Sequence, residues 1–162
     1  MKVIMLWRQV PSYGDRMLSP YIKLNLMNAA AWSSVVGDLA ALDDRSVNAA
    51  ARIHSEATRE DVPRLLELLE SGDNFFVREA AAWPLAELAG VTVLPQLLRA
   101  YQRGFDEGHD NDGFTAALLE IPALFPSEAP GVLSSLVANE SEPLRSHAQW
   151  LLEFCGGSQH EV

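Results

Sequence analysis

One cysteine is all that the 162 residues contain, so Cys155 has no internal partner for a disulfide and a reducing compartment is expected. No apolar run approaches the roughly 20 residues that a membrane helix needs. The opening MKVIMLWRQV has too short an apolar stretch, and no small-residue cleavage pattern, for a signal peptide. Cytoplasmic localisation without membrane contact is the expectation. Basic residues are scarce as well, with 12 Lys and Arg against 22 Asp and Glu, for a net charge of −10. The shortage is uneven: residues 1–30 carry four basic groups and one Asp, whereas residues 31–162 carry eight against twenty-one, a net of −13. A field of that sign repels phosphate backbones and draws in basic partners. Direct nucleic-acid binding is thereby disfavoured, and a basic protein partner is favoured.

Catalytic signatures are missing too. There is no H-E-x-x-H, no G-x-S-x-G, no phosphate-cradling glycine loop and no histidine placed as a base for Cys155. The chain is expected to be non-enzymatic and free of cofactor. His54, His147 and His160 are scattered, His147 falls on the core side of its helix, and Cys155 reads as packing rather than as a nucleophile.

What is present is helical periodicity in a chain long enough for one domain, with 48% hydrophobic residues. From residue 29 onward, segments of helical length are separated by Asp, Asn, Ser, Gly and Pro, with no strand pattern. Trp32, Val35, Val36, Leu39 and Leu42 recur at helical spacing, as do Val62, Leu65, Leu66 and Leu69. Asp61 is expected to cap the second of these helices, Pro63 to sit in its first turn and Gly72 to end it in the left-handed conformation.

An internal repeat is the strongest signal. Pro63, Pro95 and Pro130 hold equivalent places in VPRLLELL, LPQLLRAY and APGVLSSL, at intervals of 32 and 35 residues. A second helix follows each: VREAAAWPLAELAG from Val77, GFTAALLEI from Gly113 and LRSHAQWLLEFCG from Leu144. An earlier pair, residues 30–42 and VNAAARIHSEAT from Val47, fits the same scheme. An amphipathic hairpin cannot bury its apolar stripe alone, whereas stacked hairpins share one core.

The stretch DVPRLLELLESGDNFFVREAAAWPLAELAG resembles a HEAT repeat, with its Pro-started first helix, Asp-containing turn, Val-Arg pair and alanine-rich second helix. The resemblance implies an all-α, right-handed α-solenoid of about four stacked antiparallel helical hairpins, at 29–57, 58–90, 91–122 and 126–156. Residues 1–28 would form an atypical N-terminal cap and 157–162 a flexible tail. It also implies a ladder of hydrogen bonds from the turn Asp to the Arg of neighbouring repeats. Asp73, Arg78 and Arg145 match those positions, while Asn48 and Gly113 stand near where an arginine would be.

The turn of the third hairpin, YQRGFDEGHDNDGF, packs four carboxylates and a histidine into nine residues, Asp106 to Phe114. Its DNDG is similar to a calcium loop, D-x-[DN]-x-[DN]-G with a bidentate Glu at the twelfth place. Aligned on Gly113, however, Gly108 and Leu119 occupy two ligand positions, and Glu120 falls one place late, about 100° around the helix. His109 has no second ligand at zinc spacing. The larger interval from Pro95 to Pro130 points to three inserted residues within 104–112. One of Asp110, Asn111 and Asp112 is expected to cap the following helix. Asp106, Glu107, His109 and Asp110 are then surplus, as candidates for an outside partner or as a solvated loop. Trp83, beside Glu79 and Glu87, and Trp150 lie off the core stripe Val77, Ala80, Ala81, Pro84, Leu85 and Leu88. Second helices line the concave face of HEAT proteins, so the resemblance implies a groove for both tryptophans; inter-repeat packing is the competing expectation. Pro84 should open the helix at the Ala80 carbonyl.

The candidate partner-binding set is therefore Asp106, Glu107, His109, Asp110, Asp112, Glu79, Trp83, Glu87 and Trp150. Small acidic HEAT-like proteins resemble bacterial immunity proteins that block a cognate toxin, so the resemblance implies an acidic module engaging a basic protein. Similarity to HEAT-like bilin lyases implies a tetrapyrrole in the groove instead, and similarity to HEAT-like DNA glycosylases is opposed by the −13 body. With two loop ligands missing, millimolar calcium or zinc is expected to leave the melting temperature unchanged. A rise in either titration would restore the 108–119 metal reading.

Overall fold

A computed structural model describes residues 27–41 and 43–156. The expectations for a cap at 1–28 and a tail at 157–162, and for Leu42, fall essentially outside those residues. Eight α-helices are found among the described residues, with no strand: α1 Ala29–Leu39, α2 Asp44–Glu56, α3 Val62–Ser71, α4 Phe75–Ala89, α5 Leu94–Asp106, α6 Asp112–Leu124, α7 Ala129–Asn139 and α8 Leu144–Leu152. The three repeat prolines lie in the first turns of α3, α5 and α7, where a missing N–H costs nothing. Asn28, Asp43 and Asn74 cap α1, α2 and α4 by accepting from Ala31 N, Arg45 N and Phe76 N. The cap at Asp43 starts α2 three residues before the expected Val47.

Consecutive helices pair as α1/α2, α3/α4, α5/α6 and α7/α8. The second members also touch in chain order, α2 on α4, α4 on α6 and α6 on α8, and α3 touches α5. The fourth pair meets α5 through α8. The resulting core runs from Val35, Leu39 and Ile53 through Leu65, Leu69, Ala81 and Leu85 to Leu97, Phe114, Leu118, Leu133 and Leu151. Helix α4 is buried on several sides, with Phe75, Val77, Arg78, Ala81, Ala82, Pro84, Leu85 and Ala86 all enclosed. A helix with apolar residues on most of its faces belongs inside such a stack, with Phe76, Glu79 and Glu87 left on its remaining face. It runs through Pro84 without ending.

Phe75–Asp106, taken as one 32-residue helical run, contains an 18-residue window of mean hydropathy 1.2, and so is long and apolar enough by length and composition to cross a membrane. A mostly buried core helix passes the same test, so one such run is weak evidence of a membrane span. The run is α4 and α5 joined through a 3-10 turn at Gly90–Val93, and 56% of its apolar window is buried inside the protein. Gly90 has φ +55 and abuts the Phe125 ring, so this bend has room for no side chain.

Several local expectations are corrected. Gly72 ends α3 in an extended conformation, φ −63 and ψ 116, rather than a left-handed one. A Cβ there would lie 2.6 Å from the Leu68 carbonyl oxygen, so close approach is what the glycine permits. Asp61 does not cap α3; its carboxylate accepts from Thr58 N at 3.1 Å and Thr58 Oγ1 at 3.2 Å, closing the preceding 3-10 turn. The third repeat is longer both in its first helix, 13 residues in α5 against 10 in α3, and in its turn, five residues at 107–111 against three at 72–74, with a second helix two residues shorter, so the added length falls at the end of α5 and in the turn after it.

The end of α5 is a left-handed C-cap. Gly108 has φ +84, His109 N donates to Gly104 O at 2.9 Å and Gly108 N donates to Phe105 O at 3.0 Å. Asn111, buried and left-handed at φ 62, then donates to the Tyr101 carbonyl at 3.2 Å. Its amide lies directly over Gly104, where any Cβ would collide with it. Gly104→Ala should accordingly destabilise the protein by about 1–3 kcal/mol as overpacking. A denaturant midpoint equal to wild type would show that the Asn111 lock is dispensable.

Candidate functional site

The acidic turn divides into a structural half and a solvent-facing half. Arg78 of α4 has no exposed surface. Its Nη1 donates to the carbonyls of Gly72 at 2.8 Å and Asp73 at 3.3 Å, and its Nη2 donates to Glu107. Glu107 also accepts from Arg103 Nε at 2.8 Å. The bond from Arg78, followed by that from Arg103, holds the Glu107 carboxyl below its usual range. Glu107 is therefore a structural counter-ion and no surplus charge. The implied ladder from the Asp73 side chain to an arginine of a neighbouring repeat is not made as a hydrogen bond: the Asp73 carboxylate is fully exposed, 3.9 Å from Arg103. Arg78 uses backbone instead, and Arg145 does likewise, donating from Nε to the Glu140 carbonyl at 3.1 Å, five residues back as in Arg78 to Asp73.

His109 is likewise held by the fold. Its ring stacks on Phe75 at a centroid separation of 3.9 Å and an interplanar angle of 15°. Asp106 is exposed and accepts from Gln102 Nε2 at 2.8 Å. Asp110 and Asp112 are exposed at the start of α6. None of Asp110, Asn111 and Asp112 caps that helix through its side chain. The cap comes from the neighbouring hairpin, since Gly113 N donates to Glu79 Oε1 at 3.0 Å. Burial pushes the Glu79 carboxyl up against the pull of the Gly113 amide, and nearby Asp110 and Asp112 push it further. A carboxylate at a helix N-terminus matches both the free N–H groups and the helix dipole. Local sequence hid this because the cap lies 34 residues away.

Glu79, Trp83 and Glu87 come together on one face of α4, against α2. Trp83 is half-buried, its Nε1 donates to Glu87 Oε1 at 3.0 Å and its ring lies 5.7 Å from His54. Glu87 Oε2 is also 3.2 Å from His54 Nε2, so one carboxylate positions both rings. Glu79, Trp83 and His54 line a groove of about 380 Å³. Helix α2 lines it with Val47, Ala50, Ala51 and His54, and α4 with Phe76, Glu79, Ala80 and Trp83. Val47 and Phe76 are 69% and 59% exposed, so large apolar groups stand in water at its rim. Asp110 and Asp112 adjoin it through Gly113 and Glu79.

Trp150 is not part of this groove. Its ring stacks on Tyr101 at 6.0 Å and meets Phe154 edge-on at 5.5 Å, so inter-hairpin packing accounts for it. His147 completes that cluster, with Nε2 2.7 Å from Gln102 Oε1 and burial lowering its pKa. Burial pushes the Cys155 thiol up, as packing requires and a nucleophile does not. No group of three metal-ligating side chains is found among the described residues.

Sequence reading missed Val47, Ala50, Ala51, His54 and Phe76. The signal was there in part: the four α2 positions recur at i, i+3, i+4 and i+7, beside the buried Ala49 and Ile53. A second stripe of small residues next to a core stripe marks a helix with something to receive. Comparison with protein-family models, curated proteins and solved structures finds no match to this chain.

Glu107 supplies the pH dependence of the core. Its folded pKa is depressed from an ordinary 4.5, so its stabilisation is complete above that value and is lost as pH falls through the lower folded value. Glu107→Gln should lower the urea midpoint at neutral pH and flatten the loss of stability below pH 4.5. A variant with the wild-type midpoint and the wild-type acid slope would remove Glu107 from this role.

Proposed function

We propose that the chain is a non-enzymatic, acidic protein-binding module that engages a basic partner protein through the α2/α4 groove and the adjoining Asp110 and Asp112. The observation that carries this is the pairing of water-exposed Val47 and Phe76 with half-buried Trp83 inside an acidic border. Aromatic side chains in concave sites dominate binding energy, and surrounding charge sets encounter rate and choice of partner. The succession of α2, α4, α6 and α8 supports a right-handed solenoid of HEAT type, whose second helices form the receiving face. Within this class the proposed partner is a toxin whose own target is nucleic acid, with the carboxylates taking the place of phosphates.

Affinity capture from native extract tests the proposal, comparing wild type with Phe76→Asp and with Asp110→Lys/Asp112→Lys. Phe76 and both aspartates are exposed, so the variants are expected to fold. Basic proteins should be retained by wild type, released as salt is raised, and lost with either variant. Retention insensitive to salt and to both variants would reject the acidic-groove mechanism.

A further inference from the structure

We infer that the α2/α4 groove is shaped for an amphipathic α-helix of the partner, with two or three aliphatic anchors on one stripe and an Arg or Lys directed toward Glu79. The inference rests on the reading of this groove as a protein-binding site.

The lining decides between a helix and an extended peptide. Groove residues on α2 and α4 lie in regular helices, and the first-turn donors among them are already taken, Ser46 N by the Asp43 carbonyl and Phe76 N by Asn74 Oδ1. Gly113 N, the helix-terminal donor that α6 brings to the rim, is taken by Glu79. An extended segment seated here would bury its own N–H and C=O groups against alanine and aromatic carbon with nothing to bond them. A helix arrives with those bonds made internally. Strand addition needs an open sheet edge, and no strand is found among the described residues.

Dimensions agree. Val47 to His54 on α2 and Phe76 to Trp83 on α4 each span seven residues, about 10 Å or two helical turns. Anchors at i, i+4 and i+7 of an incoming helix match that length. Ala50, Ala51 and Ala80 leave space between the larger Val47 and Phe76 and the paired His54 and Trp83 rings. Lined with alanine, the space admits Leu, Ile or Met side chains between aromatic walls.

Charge sets the flank. Glu79 is half-buried, so burial raises its pKa, Asp110 and Asp112 raise it further, and the Gly113 amide and His109 oppose them. Packed around this carboxylate are the Gly113 amide and the α6 N-terminus, with no arginine bonded to it among the described residues. A guanidinium or ammonium brought by the partner would supply the missing cation, in a region of the chain whose net charge is −13.

The test uses two labelled synthetic peptides of about 15 residues with identical composition. One is a side-chain-stapled helix with Leu at i, i+4 and i+7 and Arg on one flank. The other is a scrambled sequence with period-two Leu and a central proline. Binding to the full chain is read by fluorescence anisotropy at low and high salt. A second readout is Ala51→Trp, which fills the groove at an exposed position and is checked by circular dichroism.

The helix should bind at least about tenfold tighter than the scrambled peptide, and Ala51→Trp should weaken it about tenfold or more. Equal or tighter binding of the extended peptide, no effect of Ala51→Trp, or no binding of the helix at about 1 mM would each overturn the inference. In those cases salt-sensitive capture of basic proteins, lost with Phe76→Asp, would leave the broader proposal standing. Helix binding indifferent to salt and to Asp110→Lys/Asp112→Lys would instead sink the acidic mechanism and keep the helical occupant.

Discussion

A guanidinium with no exposed surface must be neutralised from within, and the arrangement around Arg78 follows from that constraint. It draws in the carbonyls that end α3, and across the hairpin boundary it draws in Glu107 from the end of α5. Once Glu107 is committed, α5 has to stop near it, and the left-handed Gly108 turns the chain back so that His109 lies on Phe75. Asn111 then closes over Gly104 and delivers α6 to Glu79. Two consecutive hairpins are thus joined by one buried cation and one borrowed carboxylate, in addition to the apolar contact between α4 and α6.

The repeat was legible because its punctuation is local. Prolines in first turns, alanine-rich second helices and periodic Leu and Val report on one hairpin at a time, and the observed helices begin at or within a few residues of where they indicate. The acidic turn was not legible, because its carboxylates answer to partners far away in sequence. Glu107 and Glu79 are 29 and 34 residues from the groups they bind. Composition shows how many charges a segment holds, but only the packed structure shows which are already spent. By that measure Asp110 and Asp112 remain available at the groove, while Glu107 and His109 do not.

The tryptophans separate on the same principle. Equivalent repeat positions put Trp83 and Trp150 in comparable places on their helices, yet different neighbours give them different roles. Beyond Trp83 lies α2, whose alanines leave a gap, whereas beyond Trp150 lies α5, whose Tyr101 fills it. A periodic sequence predicts where a side chain points, and the step between adjacent hairpins decides what it meets there. The fourth hairpin meets α5 through α8, and Trp150 borders a separate pocket formed within that hairpin by Val137, Glu142 and Arg145.

The carboxylate of Glu79 has one further consequence, for how such an array can change over time. Repeat proteins are commonly thought of as strings of interchangeable units, each carrying its own start and stop signals. Here the start signal of α6 belongs to the preceding unit. A deletion, duplication or graft cut at Leu94 would separate α6 from its N-terminal cap, and the hairpin so moved would arrive incomplete. The second and third hairpins should therefore be inherited, exchanged and engineered as a single block of four helices, with safer junctions lying on either side of it.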